Sequence, residues 1–103
     1  MSIFNEIKIG GVYTLKINSG EEIISKVVGT DDNYLELEDP VSIAPSPQGM
    51  ALVPSVFTAN AKKSVRLNTT SVSLVAETAD EVKDKYREAT TGVTVPDKKI
   101  LVG

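Results

Sequence analysis

The sequence predicts a mainly β protein: a small, strongly bent, five-stranded antiparallel barrel followed by a C-terminal α-helix. Three observations predict it. Short runs of alternating hydrophobicity lie between tight turns rich in Gly, Asn and Asp over residues 11–76. β-branched residues concentrate in those runs. After residue 77 the apolar period changes from that of a strand to that of a helix. The 103 residues are enough for one core, so one domain is expected over residues 1–103. Hydrophobic residues at 41% and charged residues at 24% fall in the globular range and argue against disorder of the whole chain.

The elements follow in order. SIFNEIKI, before Gly10-Gly11, reads as a short helix or an added strand, and helix is the preferred reading. VYTLKI at 12–17 alternates, with Tyr13, Leu15 and Ile17 on one face and Val12, Thr14 and Lys16 on the other. NSGE is a turn, with Gly20 available for positive φ. EEIISKVVG at 21–29 is a second strand and closes a hairpin. TDDN at 30–33 is the next turn. YLELED then runs to Pro40, where a bend or bulge is expected, and VSIA can continue the strand as far as Pro45. PSPQG is a loop. MALVPSVFT at 50–58 is a fourth strand, bulged or at an edge where Pro54 lacks a donor. ANAKK is a polar turn, SVRL at 64–67 a short continuation, and TSVSLVAE at 70–77 a fifth strand. Thr78-Ala79-Asp80-Glu81 fits a capping box. Ala79, Val82, Tyr86 and Ala89 then form a narrow apolar stripe on a helix over about 79–90, ended by Gly92. The tail, 91–103, carries the apolar group Ile100-Leu101-Val102, either a docked strand or a frayed end.

Composition removes several functions. There is no cysteine, hence no disulfide and no thiolate metal site. There is no histidine, which excludes Ser-His-Asp and Cys-His catalysis and the usual zinc sites. The net charge of −3 argues against a broad basic face for gripping phosphates, though not against a small local site. No apolar run approaches the roughly 20 residues that span a bilayer, so no membrane partner is expected. The N-terminus lacks the pattern of a secretory signal, and a cytoplasmic location is the default expectation. The acidic pairs Glu21-Glu22 and Glu38-Asp39 would serve acid–base catalysis only in a cleft that shifts their pKa values. Nothing points to such a cleft, so no enzymatic activity, catalytic residue or cofactor is expected.

Three sets of motifs carry a resemblance. VYTLKINSGEEIISKVVGTDDNYLELED has the order strand, Gly turn, bent strand, Asp-containing turn and Leu-x-Leu-x-Asp strand. It resembles the first motif of Sm and Sm-like proteins, with Leu15, Gly20, Ile23, Val27, Leu35, Leu37 and Asp39 at the matching positions. LNTTSVSLV at 67–75 has the shape of the second motif. SGEE at 19–22, LELEDP at 35–40, GMALVP at 49–54 and ETADEVKDKYREATTG at 77–92 resemble the Sm-like proteins encoded by tailed bacteriophages. That likeness covers nearly the whole chain. It implies a homo-oligomeric ring, in which strand four of one subunit pairs with strand five of the next. For a phage-encoded protein it implies the host cytoplasm.

The resemblance also implies single-stranded RNA, often uridine-rich, bound at pore-facing loops. The site residues it implies here are Asp32, Asn33 and Tyr34 in the first loop, with Asn68 and Thr69 in the second. Two alignments are open. Matching LELED puts Tyr34 at the base-reading position. Matching the Asp-x-aromatic pattern from Asp32 makes Tyr34 the stacking residue and puts Glu36 where an Asn is expected. The Arg-Gly pair of the second loop is absent, and Asn68-Thr69-Thr70 stands in its place, with Arg66 nearby.

Plainer readings compete at each position. Asn33 can simply supply a left-handed turn residue, and Tyr34 can pack at a strand start. Asp31 and Asp32 with Glu36 or Glu38 offer oxygen ligands to a cation, but a Ca²⁺ site needs about six in a set geometry, and a solvated acidic turn is the reading adopted. Lys62, Lys63 and Arg66 form the one basic cluster, either a phosphate contact or a solvated turn. The alternative function is a phage structural or adaptor ring that binds protein through its helix and tail, without nucleic acid.

Overall fold

The computed structural model describes residues 6–56, 58–60 and 63–91. Within them the chain forms β1 (Val12–Ile17), β2 (Glu22–Thr30), β3 (Tyr34–Ser46), β4 (Gly49–Pro54), β5 (Val65–Asn68), a 3-10 turn at Thr69–Ser71, β6 (Val72–Glu77) and α1 (Asp80–Thr91). All strand pairings are antiparallel, and the path across the sheet is β4-β3-β2-β1-β6, with β5 also paired to β3.

β3 organises the sheet. Its Val41–Ser46 half pairs with β4, and its Tyr34–Leu37 part pairs with β5. Both lie on the side of β3 away from β2, which pairs with Leu35–Ser42. The expected fourth strand is therefore split. It stops at Pro54, where the donor is missing, and resumes at Val65, so that β4 and β5 together fill one strand position. The five expected positions are present, built from six segments. No ladder among the described residues joins β6 to β4 or β5, so the bent sheet stays open.

Three irregularities bend it. Ile24 pairs with Val41 and Lys26 with Glu38, so Asp39 and Pro40 together oppose the single residue Ser25. Pro40 marks the bulge, as expected, but the left-handed residue is Asp39, at φ 53°. In β2, Val28 is the extra residue between the pairs Val27–Leu37 and Gly29–Glu36. In β6, Ser73 is extra, and its hydroxyl donates to the Lys16 carbonyl at 3.1 Å. The β1–β2 turn uses Gly20 at φ 96°, with its N–H bonded to the Ile17 carbonyl at 2.8 Å.

Alternation along the strands makes two cores. Tyr13, Leu15, Ile23, Val27, Leu35 and Leu37 are buried inside the curve, with Ile17, Val65, Leu67, Val72 and Val75 around them. Val12, Ile24 and Val41 face the other way and are covered by Tyr86 and Val82 of α1, beside Ile43 and Leu52. The apolar stripe of the helix is thus spent on the sheet.

Tyr86 does more than cover. Its hydroxyl donates toward the Glu38 carbonyl (2.9 Å) and the Asp39 carbonyl (3.0 Å), and accepts from the Lys26 N–H at 3.0 Å. These are backbone groups at the β2–β3 bulge, where the ladder is interrupted, and a buried unpaired group there would be costly. The helix therefore latches the bulge. Ser25, fully buried, adds a bond to the Glu38 carbonyl at 3.0 Å.

Two local expectations need correction. The Thr78 hydroxyl is buried and bonded to the Thr14 hydroxyl at 2.9 Å, so it ties β6 to β1 rather than capping the helix through Glu81. The first turn of α1 is closed by the Lys83 N–H on the Ala79 carbonyl at 2.8 Å. The start of the SIFNEIKI segment lies outside the described residues. Its end is a turn: Gly11 N–H bonds Lys8 carbonyl, and Gly10 and Gly11 exchange backbone bonds with Val27. Gly92 and the Ile100-Leu101-Val102 group lie outside the described residues.

Candidate nucleic-acid interface

The loop between β2 and β3 is only Asp31-Asp32-Asn33. It closes on itself. The Asp31 N–H donates to the Tyr34 carbonyl at 2.9 Å, and the Asp31 carboxylate accepts from the Asn33 N–H at 3.0 Å. This is an Asx turn, which the Asp-Asp-Asn composition favours. The loop between β5 and β6 is the 3-10 turn Thr69–Ser71, with Asn68 as its N-cap. The Asn68 Oδ1 accepts from the Thr70 N–H at 3.0 Å and from the Thr70 hydroxyl at 2.9 Å.

The two loops are joined. The Thr69 N–H donates to the Asn33 carbonyl at 3.0 Å, and the Thr69 hydroxyl donates to the Asp32 carbonyl at 3.1 Å. Just behind them, Tyr34 and Asn68 are direct partners in the β3–β5 ladder. The structure therefore brings Asp32, Asn33, Tyr34, Asn68 and Thr69 to one place. The β1–β2 turn braces it, through the Asn18 N–H on the Ser71 carbonyl (2.7 Å) and its amide on the Thr70 carbonyl (2.9 Å).

The faces are set by alternation. Leu35 and Leu37 are buried in the core, so Tyr34 and Glu36 occupy the opposite face. Arg66, the ladder partner of Glu36, places its guanidinium carbon 4.7 Å from the Tyr34 ring centroid. That is within cation–π range, worth about 0.5–1 kcal/mol at an exposed position. Arg66 thereby supplies a cation to a patch otherwise ringed by Asp31, Asp32 and Glu36. Glu36 sits further into the ladder, and its carboxylate accepts from the Ser64 hydroxyl. The Gly29 facing it leaves it room, since a Cβ there would stand 2.9 Å from the Glu36 carboxylate oxygen.

Of the basic cluster, Arg66 joins the patch. The Lys63 N–H bonds the Asn60 carbonyl at 3.1 Å, and Lys62 lies outside the described residues. Sequence reasoning placed Arg66 nearby without its stacking partner. The signal was its position two residues before Asn68, which is one step along the same face of a strand.

One member of each acidic pair is otherwise occupied. Glu38 is 3.4 Å from the Lys26 ammonium, with both groups near half exposure, and Glu21 accepts from the Ser42 hydroxyl. Beside the bulge, a cavity of about 420 Å³ is lined by Lys26, Glu38, Asp39, Tyr86 and Arg87. Burial pushes the Tyr86 phenol up to about 12, so it stays a neutral donor across the physiological range. Among the described residues no group of three or more acidic side chains is arranged to hold a metal ion, and no helix is long and apolar enough to cross a membrane.

No protein-family model matches the chain, and no curated protein matches it.

Proposed function

We propose that the protein is an Sm-like module that binds single-stranded RNA on the patch formed by Asn33, Tyr34, Arg66 and Asn68, and that it works as a homo-oligomeric ring. One observation supports this above others: two loops far apart in sequence are hydrogen-bonded side by side, next to an aromatic ring carrying a guanidinium. Bases without a partner strand stack on aromatic and guanidinium planes, and amides beside them read base edges. The ring reading draws on the open sheet. Among the described residues the β4/β5 edge and the β6 edge are both unpaired, and β6 exposes Leu74 at 60%. Head-to-tail pairing of such edges closes a ring when the rotation permits.

Fluorescence anisotropy with oligo-U and oligo-A at low salt tests the binding. Stacking contributes about 1–3 kcal/mol per base, so Tyr34→Ala is expected to weaken binding roughly 5- to 150-fold. No binding tighter than tens of micromolar, or no loss in Tyr34→Ala, overturns the reading. Native mass spectrometry tests the ring.

The adaptor reading retains two supports: the net charge of −3 and the missing Arg-Gly pair. A partner site on the apolar stripe of α1 fits poorly, because Val82 and Tyr86 already cover the sheet. Deleting residues 92–103 leaves that latch in place. A pull-down with and without this tail separates the readings, since an unchanged partner set counts against the adaptor.

A further inference from the structure

We infer that the Tyr34–Arg66 patch is completed by a second copy of this chain, whose β6 pairs antiparallel with β5 and not with β4, setting Leu74 of the partner subunit opposite Arg66. This rests on the ring reading above. The curved core shows where apolar surface is left over. Val65 and Leu67 of β5, and Val72 and Val75 of β6, pack on it but stay only partly buried. All four stand on strands whose outer edge is unpaired among the described residues. Within one chain β5 and β6 form no ladder, although only Thr69–Ser71 joins them. A ladder between copies faces Val65 with Val75 and Leu67 with Val72, and Ser73, already the extra residue of β6, stays out of it. The apolar core then continues across the boundary between subunits. β4 offers no equivalent, since Ala51 and Val53, on its corresponding face, belong to neither core.

The other face and the charges agree on one register. Lys16 pairs with Leu74 and Leu15 with Val75, so Leu74 points away from the curved core, as Arg66 does between Val65 and Leu67. Setting Val65 opposite Val75 brings Arg66 opposite Leu74. The leucine then lies on the Arg66 methylenes and holds the guanidinium over Tyr34. Two residues further on, the same register brings Lys63 opposite Glu77. A cavity of about 480 Å³ runs along the β6 edge past Ile7, Tyr13, Leu74 and Val75, and the charged groups lining it are both acids, Glu6 and Glu77. Neither acid, nor Lys63, is in an ion pair among the described residues. β5 thus brings a cation to an acidic groove, whereas β4, Gly-Met-Ala-Leu-Val-Pro, has no charge to bring.

The chain has no cysteine, so introduced pairs report the register without background. Directly opposed residues in an antiparallel ladder have Cα atoms about 4.5–5.5 Å apart, within the span of a disulfide, whereas a displacement by two residues gives about 7–8 Å, beyond it. A chain carrying Arg66→Cys and Leu74→Cys is expected to form a covalent series of oligomers under mild oxidation, seen on non-reducing gels. Arg66→Cys with Ala76→Cys, on the same face but two residues out of register, is not. Lys63→Glu and Glu77→Lys are each expected to raise the dissociation constant of the assembly about fivefold, read by native mass spectrometry over a dilution series at low salt. Both changes in one chain should restore it. Thermal midpoints report that each variant keeps the fold. A monomeric wild type overturns this inference and the ring reading together. An assembled wild type with no Arg66–Leu74 cross-link, with equal cross-linking of the displaced pair, or with charge reversals that do not rescue each other overturns the inference and leaves the ring standing.

Discussion

Removing one oxygen tests the latch between helix and sheet. Tyr86→Phe keeps the ring that covers Val12, Ile24 and Val41 and deletes only the hydroxyl. That atom serves the Lys26 N–H and the Glu38 and Asp39 carbonyls. Tyr86 is 3% exposed, so water does not readily replace it. The Glu38 carbonyl keeps a second donor in Ser25, so the Lys26 N–H is the group left most exposed to loss. An unsatisfied buried group costs about 1–3 kcal/mol. With a urea m-value of about 1–3 kcal/mol/M for a domain of this size, the midpoint is expected to fall by roughly 1 M with m unchanged. Hydrogen exchange at the Lys26 amide adds a local readout, and its protection should drop more than that of core amides in β1. The same hydroxyl has a pH signature. Its folded pKa lies at about 12, above the ordinary value of 10, so the unfolded chain releases this proton first. Its contribution is whole below pH 10 and is lost as pH rises from 10 to 12. Wild-type stability should therefore fall more steeply than that of Tyr86→Phe across that window. A Tyr86→Phe midpoint within about 0.2 M of wild type, together with unchanged Lys26 protection, would refute the latch.

Other substitutions probe the parts separately. Leu35→Ala empties a fully buried site in the curved core and is expected to cost about 2–5 kcal/mol by urea unfolding. Gly20→Ala meets no atom within 4 Å but must hold φ 96°, so a loss of about 1–2 kcal/mol by thermal melting reports backbone strain alone. Glu38→Gln breaks an exposed ion pair with Lys26 and should move stability by less than about 1 kcal/mol. Arg66→Ala removes the guanidinium from Tyr34 and should weaken oligonucleotide binding while flattening its salt dependence by about one phosphate contact.

Much of this architecture was legible because its signals are local. The alternation of Tyr13, Leu15 and Ile17, the Gly20 turn and the Leu35–Leu37 pair are all written within a few residues of one another, and each forms the expected strand or turn. Pro40 marked a bulge, and Pro54, read as a bulge or edge within a strand over 50–58, is where β4 ends, because a missing N–H acts where it stands. The misses were made by distant partners. Thr78 looked like a cap until Thr14, 64 positions away, supplied a better bond. Tyr86 read as one apolar point on a stripe, since nothing nearby announces that its hydroxyl meets a bulge 47 residues upstream. At the candidate site the five residues were nameable, but their union depends on the β3–β5 ladder, and the stacking of Arg66 on Tyr34 exists only once that ladder forms.

The break between β4 and β5 also shapes what can approach the molecule from outside. Among the described residues the open edge beside β3 is two short rails, Gly49–Pro54 and Val65–Asn68, set on either side of the kink at Asp39. A straight foreign strand can seat on one rail but not follow both. Indiscriminate stacking into fibrils, which thrives on long flat edges, is therefore starved of a template here. A partner whose own strand is kinked to match meets no such obstacle, so the fracture that shields the edge also sets a shape test for whatever joins it.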